Sequence, residues 1–425
     1  MEILQEIPEQ VYFYKLRVED SSWDYRGEPT KSYTQGFHSY PAMMIPQVAH
    51  RLIKEYSKEG DVLLDPFCGS GSVLVEAKIT KRYSWGIDLN PLAALIARVK
   101  TTPIDPSILY KEYYSLIDRI REMHDDEAHS PQFFNLHFWF KESVIKSLAR
   151  IKAAIDKIKA TEVREFFQVT FSEVVRLSSN SRSGEFKLYR YPESKLKGHN
   201  PDPLRLFMEK VRMNIEGMET FYKACPVDVW SRVIEADSTK PVEAIAPGSV
   251  DMIATSPPYG DSRTTVAYGQ FSRLSSQWLG LMPEKAIDLD SEMLGGRIHT
   301  KNEIGLTSPT LNIMIGYIFE KDVARAKQVQ SFYVDLCQAL KNMAYYLKVG
   351  GYACIVIGNR RVKGMQLSTD IITCELVQDC ALVPQRIIIR NIPNKTMPLR
   401  NSPTNVRGVL EETMHKEYIV ILKKS

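Results

Sequence analysis

The tetrapeptide Ser256–Pro257–Pro258–Tyr259 ends an apolar run, SVDMIA, that reads as a strand. Two consecutive prolines remove two backbone donors and stop a sheet or helix, so a buried strand tolerates them only at its end. They also stiffen the corner, so its polar and aromatic groups are aimed before a ligand arrives. A second stretch, DPFCGSG (65–71), follows the apolar run DVLLD and precedes the helical pattern SVLVEAKI. Gly69 and Gly71 there let the backbone approach a ligand closely, and the helix start offers free N–H groups. Leu74 stands where a third glycine would, which disfavours nicotinamide and flavin cofactors; the lack of a GKS/T sequence disfavours a triphosphate loop. Asp88 closes the next strand pattern, YSWGID, 23 residues after Asp65, where a carboxylate can accept bonds from both ribose hydroxyls. The alternative is that Asp88 only caps the helix opening at Asn90 and Pro91. Asp237 ends a further strand pattern, VDVWSRVIEAD.

These residues need a scaffold that brings strand ends together. Strand–turn–helix units in tandem at 61–79 and 83–99 predict an α/β fold with a doubly wound, mostly parallel sheet. Ligands of such sheets bind beyond the carboxyl ends of the strands, where Asp65, Asp88, Asp237 and Ser256 all fall. From about 106 to 224 helical periodicity takes over, in ILYKEYYSLIDRIREM, ESVIKSLARIKAAIDKI and PLRLFMEKVRMNIEGMETFY. The α/β rhythm resumes at 227–237 and SVDMIAT, and a polar stretch, 260–325, follows. A helix is expected over 328–347, ended by the glycines at 350–351, then a strand YACIVIG and two closing strands, RIIIRNI and EYIVILKK. The expected division is 1–105, one half of the sheet domain; 106–229, a helical insertion; and 230–425, the other half, with 260–325 set apart.

Composition excludes several classes. The 425 residues are 44% hydrophobic and 25% charged, with a formal net charge of +4, ordinary for a globular chain. Six scattered cysteines form no CxxC pair and no metal-ligand spacing, so no metal is expected and a reducing compartment is. MEILQEIPEQVYFY lacks the basic start and long apolar core of a signal peptide, and no apolar run approaches the ~20 residues that span a bilayer. A cytoplasmic location, away from membranes, is the expectation.

Together, DPFCGSG, GIDLNP and TSPPY resemble the S-adenosylmethionine-dependent amino-methyltransferases of DNA, over about 1–100 and 230–425. The resemblance implies a Rossmann-like methyltransferase fold and S-adenosylmethionine as cofactor. It makes Asp65, Pro66, Phe67, Cys68, Gly69, Ser70 and Gly71 the cofactor turn, with Asp88 on the ribose and Asp237 at the same edge. HSYPAMMIPQVAHRLI looks like the methionine-contacting segment, implying His38, Tyr40 and Pro41, although Ser39 and Tyr40 separate His38 from Pro41 where the family has an HPA core. It further implies that Ser256 and the Pro257 carbonyl draw the lone pair of an exocyclic amine out of the base plane, Pro258 holds the corner, and Tyr259 stacks on a flipped-out base. Serine at the first position with tyrosine at the fourth resembles the cytosine-N4 branch; aspartate or asparagine is usual in the adenine-N6 branch, which stays open. Carbon-5 methylation needs a thiolate, usually in a Pro-Cys pair, and none occurs. An RNA guanine-N2 methyltransferase usually carries DPPY and an RNA-binding domain ahead of the turn, whereas only 64 residues precede Asp65. An inactive cofactor- and DNA-binding scaffold is the remaining alternative.

Three segments combine base with aromatic or polar residues: 181–207 with Arg182, Lys187 and Arg190; 260–278 with Arg263, Tyr268 and Arg273; and 385–407 with Lys395 and Arg400. Clustered bases neutralise phosphates and set affinity without specifying sequence. Double-stranded DNA is the expected partner, a cognate restriction endonuclease a further one, and the helical insertion the candidate target-recognition region.

Overall fold

The structure is a computed structural model. It describes residues 8–124, 127–182, 186–226, 228–261, 264–281, 288–299, 306–393, 400–401, 411–412 and 414–425, with backbone alone at 8–11, 400–401 and 411–412.

Eight strands form one sheet: β1 (Arg17–Glu19), β2 (Val62–Asp65), β3 (Tyr83–Asp88), β4 (Ser231–Glu235), β5 (Val250–Thr255), β6 (Leu347–Ile357), β7 (Leu382–Asn391) and β8 (Lys416–Lys424). Their order is β1-β7-β8-β6-β5-β2-β3-β4. All pairs are parallel except those of β8, which runs antiparallel between β6 and β7. From β2 the chain winds one way to β3 and, after a run of helices, to β4, and then the other way to β5 and β6. The β2–β5 boundary is therefore the topological switch point, where an open α/β sheet leaves a crevice. The expected doubly wound, mostly parallel sheet is what forms. Its central strands read as unbroken apolar runs because helices cover both faces.

Helices α1 (Pro46–Tyr56) and α2 (Ser72–Ile79) cover one face, burying Val48, Leu52 and Val73 against Leu63, Met252 and Cys354. Helices α3 (Pro91–Thr101), α4 (Pro106–Glu122), α5 (Glu142–Asp156), α6 (Thr161–Ser178), α7 (Pro203–Ala224) and α8 (Tyr268–Leu279) share a second core, with Phe166, Phe167, Phe207 and Phe221 at its centre. Helices α9 (Pro309–Lys321), α10 (Val323–Tyr346) and α11 (Thr369–Leu376) cover the other face of the sheet.

Three details depart from the sequence reading. Helix α6, not singled out from the sequence, lies within the helical layer: Val163, Phe166, Phe167, Phe171, Val174 and Val175 recur at three- and four-residue spacing and are buried, as are Val169, Ser172 and Glu173 beside that stripe. The stretch 260–325 is not polar throughout: α8 buries Phe271, Leu274 and Trp278 in the same core as α4–α7. Its apolar spacing is thinned by Ser272, Ser275 and Ser276, buried serines of which Ser275 donates to the Ser172 carbonyl (2.7 Å). Finally, α10 ends at Tyr346 and β6 begins at once, so Gly350 and Gly351 lie inside the strand. Gly350 is left-handed (φ +82°), and the β5–β6 register shifts between Val250 and Met252, so the glycines admit a bulge rather than stop a helix.

Candidate active site

The end of β2 turns into α2 through DPFCGSG. Gly69 (φ +49°) and Gly71 (φ +80°) are both left-handed. A side chain on Gly71 would meet the Ala97 backbone at 2.9 Å, and one on Gly69 would press the Tyr40 ring at 3.4 Å. Glycine is required here by conformation and by space. Asp65, fully buried, accepts from the Thr255 hydroxyl (2.6 Å) and the Phe67 amide (3.1 Å), which binds the end of β2 to the end of β5. Burial pushes its carboxyl up to about 7. Cys68 packs its thiol beside Gly86, and burial raises that thiol well above its ordinary range.

Asp88 closes β3 and props the glycine turn. One oxygen accepts from the Gly69 amide (2.8 Å) and the other from the Asn90 amide (2.8 Å). The cap of α3 is Asn90, whose side chain accepts from Leu92 (3.1 Å), so Asp88 does not serve as the helix cap. Burial pushes the Asp88 carboxyl up to about 6, against the two amide bonds that favour its charged form.

Beyond these strand ends opens a cleft. It is lined by Tyr40, Pro41 and Met44 from the N-terminal segment, by Asp65 to Ser70 and Asp88 at the ends of β2 and β3, and by Asp237, Ser256, Pro258 and Tyr268. Gly71 stands behind the turn, against α3. Tyr40 accepts from Asn90 Nδ2 (3.0 Å) and stacks on Tyr268, with centroids 6.0 Å apart. Asn90 Nδ2 also donates to Ser272 Oγ on α8 (2.6 Å). Asp237 spends one oxygen on Thr239 (3.0 and 2.7 Å) and the other on Lys240 (3.2 Å), while its neighbour Ser238 donates to the Pro66 carbonyl.

His38 is the expected site residue that the fold takes elsewhere. It does not line the cleft. Its buried ring sits behind Tyr40, with Nδ1 2.6 Å from the Ser39 carbonyl and 3.5 Å from Glu173 on α6, and burial lowers its basicity. The two residues inserted before Pro41 give the physical reason: Tyr40 takes the cleft position and Ser39 donates to Glu173 (2.9 Å).

At the corner, Pro257 is buried and Ser256 half-buried, and Ser256 Oγ donates to the Tyr259 hydroxyl (3.2 Å). Tyr259 in turn donates to Glu417 at the start of β8 (3.0 Å). The next residues close the corner from behind. Asp261 is buried between Arg325 and Arg360, each 3.0 Å away. Burial pushes the Asp261 carboxyl up, but the two guanidiniums outweigh it and hold it below its ordinary value.

Residues 8–98 match a family described as DNA methylase. The chain is 41% identical over 416 residues to the type II methyltransferase M.MvaI of Kocuria varians, across 93% of this chain and 92% of that protein. The chain belongs to the S-adenosylmethionine-dependent DNA amino-methyltransferase family. More local similarities are 33% identity to the type II methyltransferase M.MjaII of Methanocaldococcus jannaschii, over 25% of this chain and 21% of that protein, and 28% to a tRNA (guanine(10)-N2)-dimethyltransferase of the same organism, over 27% and 29%. As a member of the DNA amino-methyltransferases, the chain is an enzyme that methylates DNA with S-adenosylmethionine.

Of this DNA methyltransferase's candidate DNA-contacting residues, Arg182, Lys187 and Arg190 share one loop, pinned by the bridge Ser181–Arg190. Leu188 N donates to Gln270 of α8 (3.2 Å), so this loop docks on the helix that carries Tyr268 and Arg273. Arg190 is already engaged, by Glu193 and by the Phe138 ring at 4.5 Å. Arg263 and Lys395 lie outside the described residues; Arg400 pairs its backbone with Glu412 in a two-residue ladder. Among the described residues no His/Cys/Asp/Glu group could hold a metal, and no helix is long and apolar enough to cross a membrane. Motif reading missed Asn90, Ser238, Glu173 and Glu417. Asn90 had a signal, since it lies inside GIDLNP; the others sit in ordinary helix, loop or strand text.

Proposed function

We propose that this DNA methyltransferase acts on the exocyclic N4 of cytosine in a flipped-out base, as the modification half of a restriction–modification pair. The observation that carries the reading is Ser256. It lines the same cleft as the glycine turn, at the end of the neighbouring strand, with its own proton given to Tyr259. Its lone pairs are left to accept an amine N–H, and the carbonyl of Pro257 is the second acceptor. Two acceptors fixed in advance turn the amine lone pair toward the donor, which an amine conjugated to the ring does not do unaided.

Bound S-adenosylmethionine supplies a methyl group activated on a positive sulfur. The chain's own residues would hold it: the Gly69–Gly71 turn against its polar end, Asp88 on the ribose hydroxyls, and Tyr40, Pro41 and Met44 along its length. The carboxylates and turn amides that line the cleft suit a nucleoside. We assign residues 1–105 and 230–425 to the two halves of the catalytic region. Target recognition is assigned to 106–229 together with 260–325, because the loop of Arg182 and Arg190 docks on α8 beside the cleft.

The test is incubation with labelled cofactor and unmethylated DNA, then nucleoside analysis. N4-methylcytosine is expected. N6-methyladenine alone would replace the base assignment, and label in RNA alone would remove DNA as the substrate. A cognate endonuclease would be revealed by cleavage of the same site when that site is unmethylated.

A further inference from the structure

Methylation of an exocyclic amine leaves one proton too many on nitrogen, and a methylated aromatic ammonium is too acidic to keep it. A serine hydroxyl alone is a weak base, so a corner built on Ser256 needs an acceptor behind it. The fold supplies a hydrogen-bonded chain in the required direction. Tyr259 has one hydroxyl proton, which goes to Glu417 Oε1 (3.0 Å); its oxygen is therefore the acceptor for Ser256 Oγ (3.2 Å). Glu417 Oε2 pairs with Arg390, its cross-strand partner on β7. Arg390 is almost wholly buried and is also held by the carbonyls of Trp23 (2.8 Å) and Asp24 (3.4 Å).

We propose that Glu417 is the terminal proton acceptor of methyl transfer, reached from the target amine through the hydroxyls of Ser256 and Tyr259. The inference rests on the reading of Ser256 as the residue that meets the amine. In the step, the nitrogen pair forms the new N–C bond and the pair of the breaking S–C bond returns to sulfur. The amine proton moves to Ser256 Oγ as the serine proton moves to Tyr259 and the tyrosine proton to Glu417. Nothing else is consumed. The neutral acid then releases its proton to solvent, to which the Glu417 side chain remains 17% exposed. Burial holds the Tyr259 phenol well above its ordinary value, so it passes a proton on rather than keeping a negative charge. Gly358 makes room for the arrangement, since a side chain there would meet the Tyr259 ring at 2.7 Å.

The groups that face Glu417 are Arg390 on β7 and Tyr259 at the corner, with Tyr268 of α8 beyond Tyr259. Asp24, on the N-terminal segment, is taken by Asn391 (2.8 and 3.0 Å), and Lys416 turns away to Glu19 (2.6 Å).

The experiment is single-turnover methyl transfer to unmethylated DNA, with enzyme in excess, from acidic to alkaline pH. It compares the wild type, Glu417→Gln, Tyr259→Phe and the double variant, with cofactor affinity and circular dichroism measured alongside. Each single variant is expected to slow transfer about 10–100-fold at unchanged cofactor affinity. Glu417→Gln should also change the shape of the wild-type pH–rate profile, because it removes the group that accepts the proton. The double variant should be no slower than either single one, because a chain broken twice is broken once. Tyr259→Phe leaves the Glu417–Arg390 pair intact and carries the test if Glu417→Gln does not fold. Rates within about twofold of wild type in both variants would overturn the relay. So would slow variants that keep the wild-type pH profile and multiply in the double, the signature of a structural anchor. A wild-type protein that methylates no DNA amine would instead overturn the reading of the corner itself.

Discussion

The glycine turn and the proline corner border one cleft from neighbouring strand ends, yet they are held in different ways. The turn is supported from nearby: Asp88 props Gly69 from the adjacent strand, and Gly71 meets α3, the helix that follows that strand. The corner is supported from far along the chain. Glu417 and Arg390 hold Tyr259 from the front, while Arg360 and Arg325 clamp Asp261 from behind. A site for a constant ligand can be built from a local backbone shape. On the proposed reading, the site that aims groups at a reacting nitrogen is braced by strands from the far end of the chain.

If this division is real, substitutions on the two sides separate into different kinetic parameters. Ser256→Ala is expected to have the largest effect, a loss of about 10²–10³-fold in the single-turnover rate, by analogy with removal of one preorganised hydrogen-bonding group from an active site. Its cofactor affinity, measured by calorimetry, should stay unchanged; a parallel loss of affinity would blur the two regions into one. Asp88→Asn should do the reverse. It removes a charged acceptor, so cofactor affinity should weaken about 10–100-fold, while the rate at saturating cofactor recovers.

A pH series sharpens the same contrast without mutation. In its proposed role Asp88 is ionised when it accepts both ribose hydroxyls, and burial sets its folded-state carboxyl at about 6 rather than 3.8. Protonation therefore competes with the cofactor: affinity should be full above that value and fall about tenfold per pH unit well below it. Asp88→Asn should lack this dependence. The smallest effect is expected at His38, which lies behind the cleft wall. His38→Ala should lower the melting temperature by a few degrees, since it removes a buried ring, yet leave cofactor affinity within about threefold of wild type. A large loss of affinity would bring His38 back into the cofactor site.

The two regions were also unequally legible. Gly69, Gly71 and Asp88 could be read because the demand on each is local: a left-handed backbone, a close approach, an acid at a strand end. The tetrapeptide was legible for the same reason, since a double proline after an apolar run has few places to go. Glu417 carried no such signal. It is one acid at the start of a strand, and only the antiparallel placement of β8 between β6 and β7 brings it to Tyr259. Glu173 was equally silent: it is one acid beside the apolar stripe of α6, and nothing local says that it is buried against Ser39 and His38.

The amino-acid order by itself determined the sheet class, the carboxyl-edge location of the site and the identity of the turn and the corner, because each follows from backbone conformations that few residues allow. Tertiary structure alone decided that Tyr40 and not His38 faces the cleft, that α8 joins the helical layer, and that a serine hydroxyl is backed by a carboxylate from the last strand. These are contacts between segments far apart in the chain, fixed by how strands order and helices pack, and no local pattern records them.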